Sequence, residues 1–176
     1  MFHRERAQSG ENFMMEEAWL GGKLDGFSQL LMPTAHALVQ TIVDLKKLNL
    51  THEELLVKPN DAPSAAFHLR HIAGSVDRLL TYVRGETLSE IQFEFLKLET
   101  SETSDLTVEE LVNQAVFEIE NALEFCKTGA PETLFKERFV GRKNLPTNVF
   151  GLLFHIAEHT ARHVGQVITT AKIVRK

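Results

Sequence analysis

The sequence predicts an all-α protein built as a four-helix bundle, with a long connection between its second and third helices. Three observations favour this class. Apolar residues recur at spacings of three and four over four separate stretches, which is the period of an amphipathic helix. Residues that cap helix N-termini precede these stretches, and no stretch carries a persuasive strand pattern. A chain of 176 residues is also long enough to bury a core.

The first two helices are separated by a short turn and a loop. The first helix begins near Pro33. After it, Thr51 and Glu54 form a capping box for a short helical turn, and the loop KPNDAP follows. Ser64 is the expected N-cap of the second helix, which Gly85 ends.

The long connection and the second half of the chain follow. Residues 86–105, ETLSEIQFEFLKLETSETSD, fit either a short helix or an extended crossing segment. Thr107 and Glu110 form a capping box that opens the third helix. The piece TLFKERFVGRKNLP alternates weakly around Gly141 and is interpreted as a small hairpin. Thr147 is the expected cap of the fourth helix, which runs almost to the C-terminus.

We expect one domain over residues 14–176, preceded by a disordered tail over residues 1–13. The tail, MFHRERAQSGENF, is polar and lacks the hydrophobic core of a signal peptide. No internal repeat or low-complexity tract divides the rest of the chain.

Charge and composition argue against nucleic-acid and membrane partners. The formal net charge is −5, and Lys and Arg do not gather into a run. No stretch approaches the roughly 20 apolar residues of a transmembrane helix. The one cysteine, Cys126, excludes an internal disulfide and fits a cytoplasmic location. We expect its thiol to pack as a small apolar group.

The segment HIAEHTARHVGQ, residues 155–166, places three of the eight histidines four residues apart. Because four residues advance only about 40° around a helix, His155, His159 and His163 form a ribbon along the fourth helix. His159 and His163 fall at the edge of its apolar face, where side chains at this spacing can bind one ion.

Two histidines alone make a weak site, since a first-row metal usually takes at least three protein ligands. The second helix offers FHLRHIAGS, with His68 and His71 almost one turn apart. His68 is closer to the apolar face and His71 lies on its flank, so periodicity does not decide which of them would complete a site.

These segments resemble the DinB/YfiT-like superfamily of metalloenzymes. The likeness rests on a helix-two histidine followed by a small apolar motif, here HIAGS, and on a C-terminal helix with H-x3-H and a G-Q pair, here HTARHVGQ. It spans roughly Trp19 to the C-terminus. It implies a three-histidine site for a divalent ion, most often nickel or zinc. Carried over residue by residue, it implies His71, His159 and His163 as the ligands.

Neighbouring polar residues have less definite roles. His68, His155 and Gln166 lie about one turn from the implied ligands and are candidates for contacts with the ligand rings or the substrate. Glu158 is expected to pair with Arg162 at i+4 rather than to act as a general base.

Other metal and cofactor motifs are missing from the sequence. A ferritin-like di-iron site needs Glu-x-x-His pairs, and no Glu here is followed by His three residues later. The zincin motif H-E-x-x-H and the glycine-rich phosphate and dinucleotide loops are also absent.

Two hypotheses about function follow. The first is a metal-dependent enzyme acting on a small molecule, either a hydrolase or a transferase of a low-molecular-weight thiol. The resemblance implies the second of these reactions, because related members use bacillithiol or mycothiol. The other hypothesis is a non-catalytic, stress-related helical bundle whose metal binding is structural or adventitious. In either case we expect a homodimer, since 12 Phe in a small domain favour an exposed apolar face.

Overall fold

A computed structural model describes residues 17–101 and 105–175 of the chain. Residues 1–16, 102–104 and 176 are not described, so the predicted tail over residues 1–13 lies outside the described residues. The chain is mostly helical, as the sequence predicts. The division into a tail and a single domain over residues 14–176 stays a prediction.

The described residues form six helices and one two-stranded antiparallel hairpin. In chain order they are α1 (Met32–Lys46), α2 (His52–Leu56), α3 (Ala65–Arg84), α4 (Glu90–Leu98), α5 (Val108–Thr128), β1 (Glu137–Val140), β2 (Leu145–Asn148) and α6 (Val149–Val174). The hairpin is the one that the weak alternation predicts. Within the segment 86–105, residues 90–98 form the short helix α4, which a capping box at Ser89 begins.

Side-chain caps begin the helices where the sequence predicts in three cases. Thr51 and Thr107 each accept a hydrogen bond in a complete capping box, and the Ser64 hydroxyl accepts from the Phe67 N–H. Gly85 ends α3 in the left-handed conformation with a φ of 83°, which an L side chain rarely adopts.

The predicted cap of the last long helix is wrong by one residue. Asn148, not Thr147, is the N-cap of α6, and its Oδ1 accepts a hydrogen bond from the Gly151 N–H at 2.7 Å. Thr147 is instead paired with Arg138 in the hairpin, so its backbone is committed to the strand that precedes the helix.

The four long helices α1, α3, α5 and α6 pack against one another around a common core. Helix α3 contacts both α5 and α6, and α1 contacts the same two helices. The core is apolar and includes the fully buried residues Leu38, Leu69, Ile72, Ile119 and Ile156. Helix α4 packs on α3 from outside this group. Among the described residues, no helix combines the length and apolar content that a bilayer span needs.

Candidate metal centre

The packing of α3 on α6 brings the two histidine-bearing helices together. Ser64 is the N-cap of α3 and precedes the FHLRH segment by three residues, so His68 and His71 fall in the first two turns of the helix. On α6, Ile156 and Val164 point into the core and leave His159 and His163 at the border of the buried face, both half-buried. The amphipathic pattern of each helix therefore fixes which way these imidazoles face.

Three imidazoles from two helices converge at this border. Ligand nitrogens of His71, His159 and His163 all lie within 4.8 Å of one another. The Nε2 atoms of His71 and His159 are 2.9 Å apart. This is close to the roughly 3.3 Å between two nitrogens that share a tetrahedral zinc ion. The ring centroid of His163 lies 4.4 Å from that of His71 and 4.5 Å from that of His159.

His68 is not part of this triad but contacts one of its members, His163. Its Nδ1 is 3.0 Å from Nδ1 of His163, and the His68 residue is only 4% exposed. Of the two α3 histidines between which periodicity does not decide, His71 is the one whose ligand nitrogen is grouped with those of both α6 histidines. With its Nδ1 against His68, His163 keeps Nε2 for another partner.

Glu99, which the sequence did not single out, contacts His71 from the other side. Its Oε2 lies 2.8 Å from Nδ1 of His71, and its Oε1 accepts a hydrogen bond from Nη1 of Arg78 at 2.6 Å. Glu99 is 2% exposed and is the one buried acidic residue in the part of the chain that the structure describes. The Phe67 ring lies parallel to the His71 ring, and the two ring centroids are 5.6 Å apart.

Burial lowers the pKa of three of the clustered imidazoles, those of His68, His159 and His163, and so favours their neutral form at ordinary pH. It lowers the pKa of His68 and of His159 to about 4, and that of His163 to about 3. Repulsion from the neighbouring His71 lowers each of these pKa values further. A neutral imidazole carries a lone pair on one nitrogen, which is the form that binds metals.

A comparison with protein families agrees with this geometry. The model of the DinB superfamily matches residues 37–167, which is most of the chain. The matched range includes the histidines of the two helices: His68, His71, His155, His159 and His163. The chain belongs to the DinB superfamily. This superfamily is a metal-binding family, so the resemblance drawn from HIAGS and HTARHVGQ is confirmed at the level of the family. A comparison with curated proteins found no match.

The donor set of this DinB-superfamily chain fits a divalent ion of borderline softness. Imidazole nitrogen suits zinc and nickel, among other first-row metals. Two of the three grouped imidazoles also have a partner for their other nitrogen, Glu99 for His71 and His68 for His163. Such partners are the usual second layer of a metal site, because they fix the ring orientation of the ligand.

A second group of polar side chains lies one turn earlier on α6. Nδ1 of His155 is 2.7 Å from Oε1 of Glu158, and Arg162 donates a hydrogen bond to Oε2 at 2.6 Å. The expected pairing of Glu158 with Arg162 is therefore confirmed, and this hydrogen bond lowers the pKa of the carboxyl group. Ligand atoms of His155, Glu158 and His159 lie within 4.8 Å of one another. Gln166 is exposed on the same helix, and its role, like that of His155, stays a prediction.

Proposed function

We propose that this chain is a divalent-metal-dependent enzyme in which His71, His159 and His163 hold one ion, zinc or nickel. The observation that carries the proposal is the convergence of three imidazole nitrogens from two helices within 4.8 Å. Histidines that only occupy the border of an amphipathic face would not be expected to converge from two different helices. The four long helices serve as a bundle that holds the two halves of the site in register.

A metal held by three neutral imidazoles supplies a full positive charge that polarises a carbonyl group or makes a bound water or thiol more acidic. Residues of the chain keep the three imidazoles in the protonation state and orientation that binding an ion would require. Burial keeps His159 and His163 neutral, and Glu99 and His68 hold the rings of His71 and His163. Residues on the exposed side of α6, among them His155, are the ones that a small substrate would meet.

Two reactions follow from this arrangement, hydrolysis and transfer of a low-molecular-weight thiol to an electrophile. In both reactions a bound ion would make the nucleophile more acidic, and that nucleophile would be water in hydrolysis and a thiol in the transfer. We propose both as candidate activities of one site in a cytoplasmic homodimer. A panel of model esters, and of thiols such as bacillithiol with an electrophile, separates them.

Metal analysis of protein purified without a histidine tag tests the proposal. We expect about one divalent ion per chain, and a ratio near zero in His159→Ala. His52→Ala is the matched control, because His52 is exposed on α2 and the same deletion there should leave the ratio unchanged. Absence of metal in the unmodified protein would contradict the proposal.

The alternative of a non-catalytic helical bundle gives a different pattern. It predicts either no metal or a bound metal whose removal changes no reaction rate. Esterase or thiol-transferase activity that disappears with a chelator and returns with the added ion would exclude it.

A further inference from the structure

Glu99 is an acidic residue from outside the histidine helices that is buried against one of the proposed ligands. We infer that Glu99 is a positioning residue of the metal centre, which fixes the His71 ring with Nδ1 protonated and Nε2 turned toward His159 and His163. This inference rests on the proposed function, since it concerns how the same site is held.

The hydrogen bond to His71 determines the tautomer of that ring. An ionised carboxylate can only accept hydrogen bonds, so a contact of 2.8 Å from Oε2 to Nδ1 requires the proton to be on Nδ1. In the neutral ring the lone pair is then on Nε2. This is the nitrogen that lies 2.9 Å from Nε2 of His159. Glu99 therefore selects the tautomer that a shared ion needs.

Arg78 makes it possible for this carboxylate to be buried. A buried charge needs a partner of opposite charge and filled hydrogen bonds. Arg78 provides both, because its Nη1 donates to Oε1 of Glu99 at 2.6 Å. Each carboxylate oxygen thus has one donor, and the two donors come from α3 at residues 71 and 78.

Gly74 leaves the space that the carboxylate occupies. A Cβ atom at residue 74 would lie 2.3 Å from Oε1 of Glu99 and 2.8 Å from a ring carbon of Phe95. Any other residue there would force the Glu99 carboxylate, the Arg78 guanidinium and the Phe95 ring to shift. The glycine of the HIAGS motif therefore leaves room for the Glu99 carboxylate to reach Nδ1 of His71.

The main test compares Glu99→Gln with Glu94→Gln. Both substitutions remove one negative charge, but Glu94 is an exposed residue within α4, whereas Glu99 is the buried residue that directly follows this helix. A glutamine at residue 99 offers one oxygen to two donors and must turn its NH₂ group toward one of them. Competition with a chromogenic chelator for Zn²⁺ should show 10–100-fold weaker binding in Glu99→Gln, the usual cost of losing such a partner. Glu94→Gln should bind Zn²⁺ like the unmodified chain.

A separate readout distinguishes positioning from a general loss of stability. Nitrogen-15 NMR of the metal-free chain should show His71 as the Nδ1-protonated tautomer, and as a mixture in Glu99→Gln. Gly74→Ala should weaken Zn²⁺ binding in the same way, although residue 74 is not a ligand. Thermal unfolding of the metal-free variants establishes that they are folded at the temperature of the titration.

The outcomes separate the inference from the proposed function. If His71→Ala loses Zn²⁺ while folded Glu99→Gln retains the affinity and the tautomer of the unmodified chain, the role of Glu99 is wrong and the three-histidine site stands. If the unmodified chain binds no Zn²⁺, both are wrong.

Discussion

At the scale of single residues, the protonation of His68, His159 and His163 makes the stability of the metal-free chain depend on pH. Burial lowers the pKa of His68 and His159 to about 4 and that of His163 to about 3, whereas an unfolded histidine titrates near 6.5. Between these values the unfolded chain binds more protons than the folded one. The contribution of these three histidines to stability is therefore nearly constant above about pH 7.5 and falls as the pH is lowered through 6.5 toward 4.

This gives a prediction for chelator-treated protein. The urea midpoint should be nearly the same at pH 8.5 and pH 8 and should decrease steadily from about pH 7 to pH 5, a window in which few carboxylates titrate. The decrease should be smaller in His163→Asn, which removes one of the titrating groups. A midpoint that is independent of pH across this window would contradict the low pKa values.

Cys126 gives a second prediction at this scale. Its side chain is 1% exposed in the core, and burial raises the pKa of its thiol to about 12. Because the thiolate is the reactive form, iodoacetamide at pH 8 should leave the native chain unmodified over hours and label it fully in denaturant. Mass spectrometry measures both, and rapid labelling of the native chain would show that the thiol is accessible.

Residue patterns revealed part of the candidate site and not the rest. The i, i+4 spacing of His159 and His163 was visible because both are on one helix. The choice between His68 and His71 depended on how α3 is rotated against α6, which helical periodicity gives only coarsely. Glu99 could not be distinguished by sequence from the other acidic residues of the segment 86–105. Gly74 in mid-helix was its one indirect signal, since such a glycine marks close approach of another group.

At the scale of elements, capping residues located most helix ends. Ser64 and Thr107 could be predicted as N-caps because each is a capping residue directly before a stretch with the apolar spacing of a helix. At α6, Thr147 and Asn148 are adjacent and both are capping types. Strand pairing decides between them, and it is a contact with residues earlier in the chain that the local sequence does not contain.

A pair of substitutions tests this assignment. Asn148→Ala removes the acceptor for the Gly151 N–H and should lower the free energy of unfolding by about 1 kcal/mol. Thr147→Ala should change it by less than about 0.5 kcal/mol, as expected for a residue without a capping bond. Urea unfolding measures both, and a larger effect at residue 147 would reverse the assignment.

At the scale of the whole molecule, metal binding and folding are linked, because the proposed ligands come from two helices that separate on unfolding. Zn²⁺ at about 100 times its dissociation constant should add about 2.7 kcal/mol to the free energy of unfolding. For a chain of this size that corresponds to a rise of about 5–10 °C in melting temperature. Scanning calorimetry with and without Zn²⁺ measures it, and His159→Ala should show almost none of the rise.

The fold class was predictable at this scale because four long amphipathic stretches leave few other ways to bury their apolar faces. The metal centre depends on a finer property, the depth at which α3 and α6 pack. That depth is set by interlocking core side chains such as Leu69, Ile72 and Ile156, which determine how near the imidazoles come.

The central claim is that three imidazoles share one divalent ion, and X-ray absorption spectroscopy of the Zn²⁺-loaded chain tests it most directly. The account predicts three imidazole nitrogens at about 2.0–2.1 Å in the first shell of the ion. A first shell with no imidazole or with a single imidazole, or full retention of Zn²⁺ by His71→Ala, His159→Ala and His163→Ala, would contradict it.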